Sequence, residues 1–239
     1  STDDTQSILE EYAKKDERIV ISNQGNLYAG VARNNGMNHA SGEYLIFLDA
    51  DDFFKPEMLE KMYNKAVSHK ADICICSVIA YSERDKEYRD SNHYLREDLL
   101  PENIPFSPRD EEIRDSLFQM TIPAPWNKLF KKSFINQEGI TFDTLKRAND
   151  LYFSYLAMAV AERITVVSDK LVNYRVDLES SLQGTNKGGT LEFFTALNHL
   201  KNELDKRDLW EIFEKTYINR ALNTCLFNLN KCGTKQAYV

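Results

Sequence analysis

Tyr44-Leu45-Ile46-Phe47-Leu48-Asp49-Ala50-Asp51-Asp52 places five apolar or aromatic residues directly before a group of carboxylates. The run reads as a buried strand, and the acids stand at its carboxyl end, where ligands of open α/β sheets bind. In extended geometry Asp49 and Asp51 point to the same side. Upstream, the loop Asn23-Gln24-Gly25-Asn26 leads to a helix over 29–39, and Gly42 precedes the strand. Downstream, Pro56 suits the first turn of a helix with Leu59, Met62, Tyr63, Ala66 and Val67 inward. The apolar run Ile73-Cys74-Ile75-Cys76-Ser77-Val78-Ile79 follows as the next strand. Strands alternating with helices at this interval predict an α/β fold with a mostly parallel sheet flanked by helices.

The rest of the chain extends this pattern. A helix capped by Thr2 or Asp3, with Ile8, Leu9, Tyr12 and Ala13 at helical spacing, should come first, then a short strand over 18–22. Prolines 101, 105 and 108 and a high charge density mark 81–108 as a surface excursion. Helices are expected over 110–120 and 150–162, and strands over 164–167 and 171–176. A mobile polar loop over 184–189 should precede two amphipathic helices. One would turn Phe194, Leu197, Leu200 and Leu204 inward, the other Leu209, Ile212, Phe213, Tyr217, Cys225 and Leu229.

Composition narrows the function. The 239 residues, 42% hydrophobic and 28% charged, suit one large domain or a domain with an appendage. Thirty Lys and Arg against 37 Asp and Glu give a net charge of −7, so nucleic acid is disfavoured as the main partner. A small phosphorylated ligand still fits the local cluster of Lys128, Lys131 and Lys132. Cys74, Cys76, Cys225 and Cys232 form neither a disulfide framework nor a zinc pattern, which suits a reducing cytosol. No apolar stretch reaches the ~18–20 residues of a membrane span. No signal peptide is visible, and the opening Ser1-Thr2-Asp3-Asp4 suggests a fragment whose natural start lies upstream.

Taken as chemistry, the paired carboxylates Asp49 and Asp51 call for a divalent cation, and hard oxygen ligands suit Mg²⁺ or Mn²⁺ held partly by phosphate. An acidic turn capping the helix at Pro56 is the alternative. A calcium loop counted from Asp49 puts Glu60 correctly twelfth but fails sixth, where Phe54 replaces the required Gly. The helix start near Ala29 offers N–H groups to a phosphate, and Arg33 adds a donor fork or else forms a surface ion pair. Asp150 opens an apolar helix as a reactive carboxylate or as its cap. Trp126 either stacks on a sugar or packs in the core, and Lys128 either holds a diphosphate or is solvated. Arg175 is the better anion ligand beside a packing Tyr174. His39, His69, His93 and His199 share no catalytic spacing and read as structural or exposed.

The wider run from Asn23 to Gly36, with its Ala32-Arg33-Asn34, and from Ala40-Ser41-Gly42-Glu43-Tyr44 to Asp49-Ala50-Asp51-Asp52 closely resembles the nucleotide-sugar half of family 2 glycosyltransferases, inverting enzymes of the GT-A fold. Pro125-Trp126-Asn127-Lys128-Leu129-Phe130, Asn149-Asp150-Leu151-Tyr152-Phe153 and Asn173-Tyr174-Arg175 continue the likeness, which covers about 1–185. The resemblance implies that Asp49 and Asp51 bind metal and diphosphate and that Asp150 is the catalytic base. Many members have Glu-Asp where Asn149-Asp150 stands here. Members also usually begin with an apolar strand and an Asp-Asp-Gly before a Ser-Thr like Ser1-Thr2. Either this sequence starts late, or the protein lacks part of its nucleotide pocket.

The expected protein is a metal-dependent inverting transferase that moves a sugar from a nucleoside diphosphate, UDP first, to an acceptor hydroxyl in surface-glycan synthesis. Residues 1–185 would form the GT-A-like domain and 186–239 a helical extension. Gly25, Arg33, Asp49, Lys128 and Arg175 would face the donor, Trp126 the acceptor, and Asp49 and Asp51 the Mn²⁺ or Mg²⁺. The acceptor would be a carbohydrate or a lipid-linked glycan, handled in the cytoplasm with room for peripheral association at the inner membrane face. A non-catalytic module that keeps the fold is the alternative.

Overall fold

The computed structural model describes residues 3–177 and 191–231. Its helices are α1 (Thr5–Lys15), α2 (Tyr28–His39), α3 (Met58–His69), the single turns α4 (Glu111–Arg114) and α5 (Leu117–Met120), α6 (Lys132–Glu138), α7 (Asn149–Val160), α8 (Glu192–Lys206) and α9 (Trp210–Lys231). The strands are β1 (Tyr44–Leu45), β2 (Phe53–Phe54), β3 (Ile73–Ser82), β4 (Glu87–Arg89), β5 (Lys128–Lys131) and β6 (Ile164–Val176). They form one sheet in the order β1-β5-β3-β6-β2, with β4 beside β3.

The α/β class and the flanking helices are as expected, but the sheet is mixed rather than mostly parallel. The long pair β3–β6 is parallel, while β1–β5, β3–β5, β3–β4 and β2–β6 are antiparallel. Two of these antiparallel pairs come from a short strand, β5, that sequence reading did not single out, and the other two from the short strands β2 and β4. Strand β5 inserts between β1 and β3 and reverses the chain direction there. The two strands expected over 164–176 are one, with a register shift of the β3–β6 ladder near Ser77 absorbing the polar Ser168-Asp169-Lys170. The buried strand expected over 44–48 is only Tyr44–Leu45; Leu45 alone of that run is buried and Leu48 is exposed, because the chain leaves the sheet before the acids. Residues 18–22 form no strand. Val20 is 70% exposed, and a β-branched run acquires strand geometry only when a neighbour completes its ladder.

Two apolar clusters hold the sheet. The larger joins β3, β5 and β6 to α7 and includes Phe118, Phe130, Phe153 and Tyr155. Leu197, Leu200, Leu204, Leu209, Phe213 and Tyr217 belong to the same cluster, so α8 and α9 pack into the main core. Phe194, Cys225 and Leu229, expected inward, are exposed. On α3 the buried stripe is Met58, Met62 and Ala66, at a spacing of four, and Leu59, Tyr63 and Val67 face outward. The first helix buries none of its residues. Cys74 and Cys76 are buried in the second cluster, as expected. The loop expected over 184–189, the domain boundary at 185, Cys232 and the cap at Thr2 lie outside the described residues. Among the described residues no helix is long and apolar enough to cross a membrane.

One glycine fixes how α2 sits. A Cβ on Gly30 would lie 1.9 Å from the Asp143 carbonyl oxygen, so only hydrogen lets α2 meet the loop before α7. Gly30→Ala should cost about 1–3 kcal/mol, measured as the shift in a urea unfolding midpoint. An unchanged midpoint would mean that this contact is not part of the folded state.

Candidate functional site

The carboxylates stand where an aromatic platform ends. Phe47 packs edge-on against Phe142 at 4.8 Å and Phe153 at 5.6 Å, and Phe142 stacks on Phe153 at 3.8 Å. This anchors both the chain leading into Asp49 and the loop leading into Asp150. Beyond Leu48 the chain turns, with the Asp52 N–H donating to the Asp49 carbonyl at 3.2 Å, and β2 then pairs with β6. The turn therefore lies across β6 near Tyr174 and Arg175.

Carboxylate oxygens of Asp49, Asp51 and Asp52 lie within 4.8 Å of one another. Asp52, not singled out from the sequence, accepts the Arg175 backbone N–H at 2.8 Å through Oδ1, while its buried Oδ2 has no hydrogen-bond partner among the described residues. Burial, reinforced by the negative charges of Asp51 and Asp49, pushes its pKa up to about 7. Three close carboxylates with an unpaired buried oxygen form a hard donor set that fits Mg²⁺ or Mn²⁺.

Arg33, on α2, is 15% exposed and bridges two segments. Its Nη2 donates to Asp49 Oδ1 at 2.7 Å and its Nη1 to Asn149 Oδ1 at 2.9 Å, while the guanidinium lies over the Phe142 ring. It is neither a free donor fork nor a surface ion pair. Asn149, standing where many members have Glu, is the acceptor that links it to α7.

Asp150 occupies the second residue of α7 and is partly buried. The cap position belongs to Ala148, in the left-handed region at φ 53°, so Asp150 is not the N-cap. Burial raises the Asp150 pKa, the Arg33 charge pulls it back and the Asp49 charge raises it again. Asp150 thus shares an electrostatic environment with the acidic turn.

Other expected site residues fall elsewhere. Lys128 is 0% exposed, and its Nζ donates to the carbonyls of Ile122 and Ala124, both at 2.8 Å, to Asn127 Oδ1 at 2.9 Å and to Thr121 Oγ1 at 3.3 Å. Burial pushes its pKa down to about 7. With its donors committed inside the protein, it cannot hold a diphosphate. Trp126 is 4% exposed and stacks on Tyr174 at 5.1 Å, so its face is covered by protein rather than open to a sugar. Arg175 is partly exposed near Asp52, with its Nε 3.6 Å from a Glu83 oxygen. Gly25 sits in an exposed loop, and a Cβ on it would meet only open space. Of the histidines, His199 meets Asp143 at 2.9 Å and His69 meets Thr165 at 2.8 Å. A cavity of about 460 Å³ lies at the opposite end of α7, beside Val160, Arg109 and Arg207, and none of the candidate donor residues lines it.

Comparisons with known proteins bear on the family and the fold. The family model "Glycosyl transferase family 2" matches residues 1–139. The putative glycosyltransferase EpsH of Bacillus subtilis is 31% identical over 191 residues, 78% of this chain and 53% of EpsH. The poly(ribitol-phosphate) beta-N-acetylglucosaminyltransferase TarS of Staphylococcus aureus is 24% identical over 225 residues, 93% of this chain and 37% of TarS. The crystal structure of S. aureus TarS 1-349 in complex with UDP-GlcNAc superposes with a TM-score of 0.65 at 21% identity, covering 85% of this chain and 55% of that one, which shows a shared fold. The chain thus spans about half the length of EpsH, and less of TarS. With more than half of its residues matched by that model, this chain belongs to glycosyl transferase family 2.

Proposed function

We propose that the protein transfers a sugar from a UDP-sugar to an acceptor hydroxyl, with inversion at the anomeric carbon, in the synthesis of a surface glycan. The observation that carries this reading is the pairing, through Arg33, of the acidic turn with the start of α7, where Asp150 feels the charges of both Arg33 and Asp49. The relatives' names support the setting, since TarS is a poly(ribitol-phosphate) glycosyltransferase and its fold is also known with UDP.

Asp49 and Asp51, with Asp52 beside them, would hold Mn²⁺ or Mg²⁺, which when bound stabilises charge on a leaving diphosphate. Asp150 accepts the proton of the attacking hydroxyl, and the Arg33 charge favours the ionised form this needs. Arg33 orients Asp49 and Asn149 together, and Arg175, whose backbone N–H binds Asp52 and whose charge acts on it, would meet an anion at the edge of the turn. One displacement from the face opposite the leaving group inverts the centre. The acceptor is a carbohydrate or lipid-linked glycan handled at the inner face of the membrane by peripheral association.

Cation and nucleotide should bind together, because carboxylates of one short turn leave much of an octahedral shell to water and phosphate. Titration calorimetry with UDP and Mn²⁺, together and separately, should give an affinity for the pair at least tenfold above either alone. Tight Mn²⁺ binding without UDP, or UDP binding indifferent to Mn²⁺, would count against the reading.

A further inference from the structure

The segment from Phe142 to Asn149 carries the chain to Asp150, and its position depends on side chains from outside it. From α2, Asn34 Nδ2 donates to the Phe142 carbonyl at 2.9 Å, and the Phe142 N–H donates to Asn34 Oδ1 at 2.8 Å. One side-chain amide thereby satisfies both backbone groups of Phe142, as a neighbouring strand would. The adjacent residue on α2 is Arg33, bonded to Asp49 and Asn149, and one turn earlier Gly30 abuts the Asp143 carbonyl. From the other side α8 adds His199 on Asp143 and Glu192 Oε1, which accepts the Lys146 N–H at 3.1 Å.

Asn34 therefore pins this segment to the helix whose next-door arginine holds the acidic turn. We propose that Asn34 is a positioning residue for transfer: it fixes the segment that delivers Asp150 and so sets the gap between Asp150 and the donor side. The inference rests on the reading of Asp150 as the base. Asn34 itself touches no reacting atom. A displacement of about 1 Å at a reacting group can cost on the order of 10² in rate, so loosening this clamp should act on turnover and leave nucleotide binding in place.

The test uses the full chain. In Asn34→Ala, amide hydrogen exchange over 142–149 should speed up by about tenfold or more while exchange in β3 and β6 stays within about twofold. UDP release from UDP-GlcNAc with Mn²⁺ should fall about 10- to 100-fold, with UDP affinity kept within about threefold. Asn34→Asp keeps the acceptor for the Phe142 N–H but loses the donor, and should fall between Ala and wild type. Unchanged exchange over 142–149, or faster exchange everywhere with activity and UDP affinity lost together, overturns the inference and leaves Asn34 a general stability contact. The double variant Asn34→Ala with Asp150→Asn separates the two readings. If Asn34 works through Asp150, the double variant is no slower than Asp150→Asn alone. Multiplying losses refute the role of Asn34 only, whereas near-normal turnover by Asp150→Asn refutes the base assignment and, with it, this inference.

Discussion

Asp150→Asn should lower sugar transfer by about 10² to 10⁴ while leaving UDP affinity and folding stability near wild type. Asn retains the shape and a hydrogen-bonding oxygen but cannot take a proton. The bland reading, a helix cap, predicts little change on that substitution and a modest stability loss on Asp150→Ala. The geometry already disfavours it, because Ala148 holds the cap position and Asp150 lies two residues into the helix. Burial raises the pKa of Asp150 against the pull of Arg33, so an Arg33 variant lacking charge should shift the rising limb of the rate profile to higher pH. Transfer rate against pH and UDP affinity for Asp150→Asn and Asp150→Ala are the measurements, and near-normal transfer by the Asn variant would sink the catalytic role.

Lys128→Met should destabilise the protein by about 2–4 kcal/mol, because it removes the common donor of the Ile122 and Ala124 carbonyls, Asn127 and Thr121 and leaves buried acceptors unmet. The thioether roughly matches the volume of the lysine stem, so a cavity contributes little. UDP affinity of the folded fraction should stay within about threefold. A diphosphate-binding lysine predicts the opposite pattern, with stability kept and UDP affinity lost. Chemical denaturation paired with calorimetry above the unfolding midpoint of neither protein separates them, and weak UDP binding with an unchanged midpoint would restore Lys128 to the donor site.

These cases mark how far local pattern carries. The apolar run into Asp49-Ala50-Asp51-Asp52 disclosed the acidic turn, since such acids must face solvent or a cation, but not how little of the run is buried: the strand stops at Leu45 and Leu48 is exposed. The α/β class and the helix over 149–160 were also legible, since the first follows from alternation and the second from a continuous apolar stretch. The antiparallel β5 was not. Its four residues carry no period of their own and become a strand only through β1 and β3.

Side-chain roles divided along the same line. A lysine and a tryptophan in Pro125-Trp126-Asn127-Lys128 look alike to any local rule whether they face a sugar or the core, and the tertiary fold covered both. Asn34, Asn149 and Asp52 stood inside the quoted motifs but drew no role of their own, since their work is done on backbone or side-chain groups over a hundred positions away in the chain. The sequence by itself determined that carboxylates would gather just after an apolar run and that a further acid would open an apolar helix, because residue type and periodicity are read locally. Only the tertiary structure decided that Arg33 ties the two together and that Lys128 is sealed inside. Contacts at long separation depend on how elements stack, which no short stretch of residues encodes.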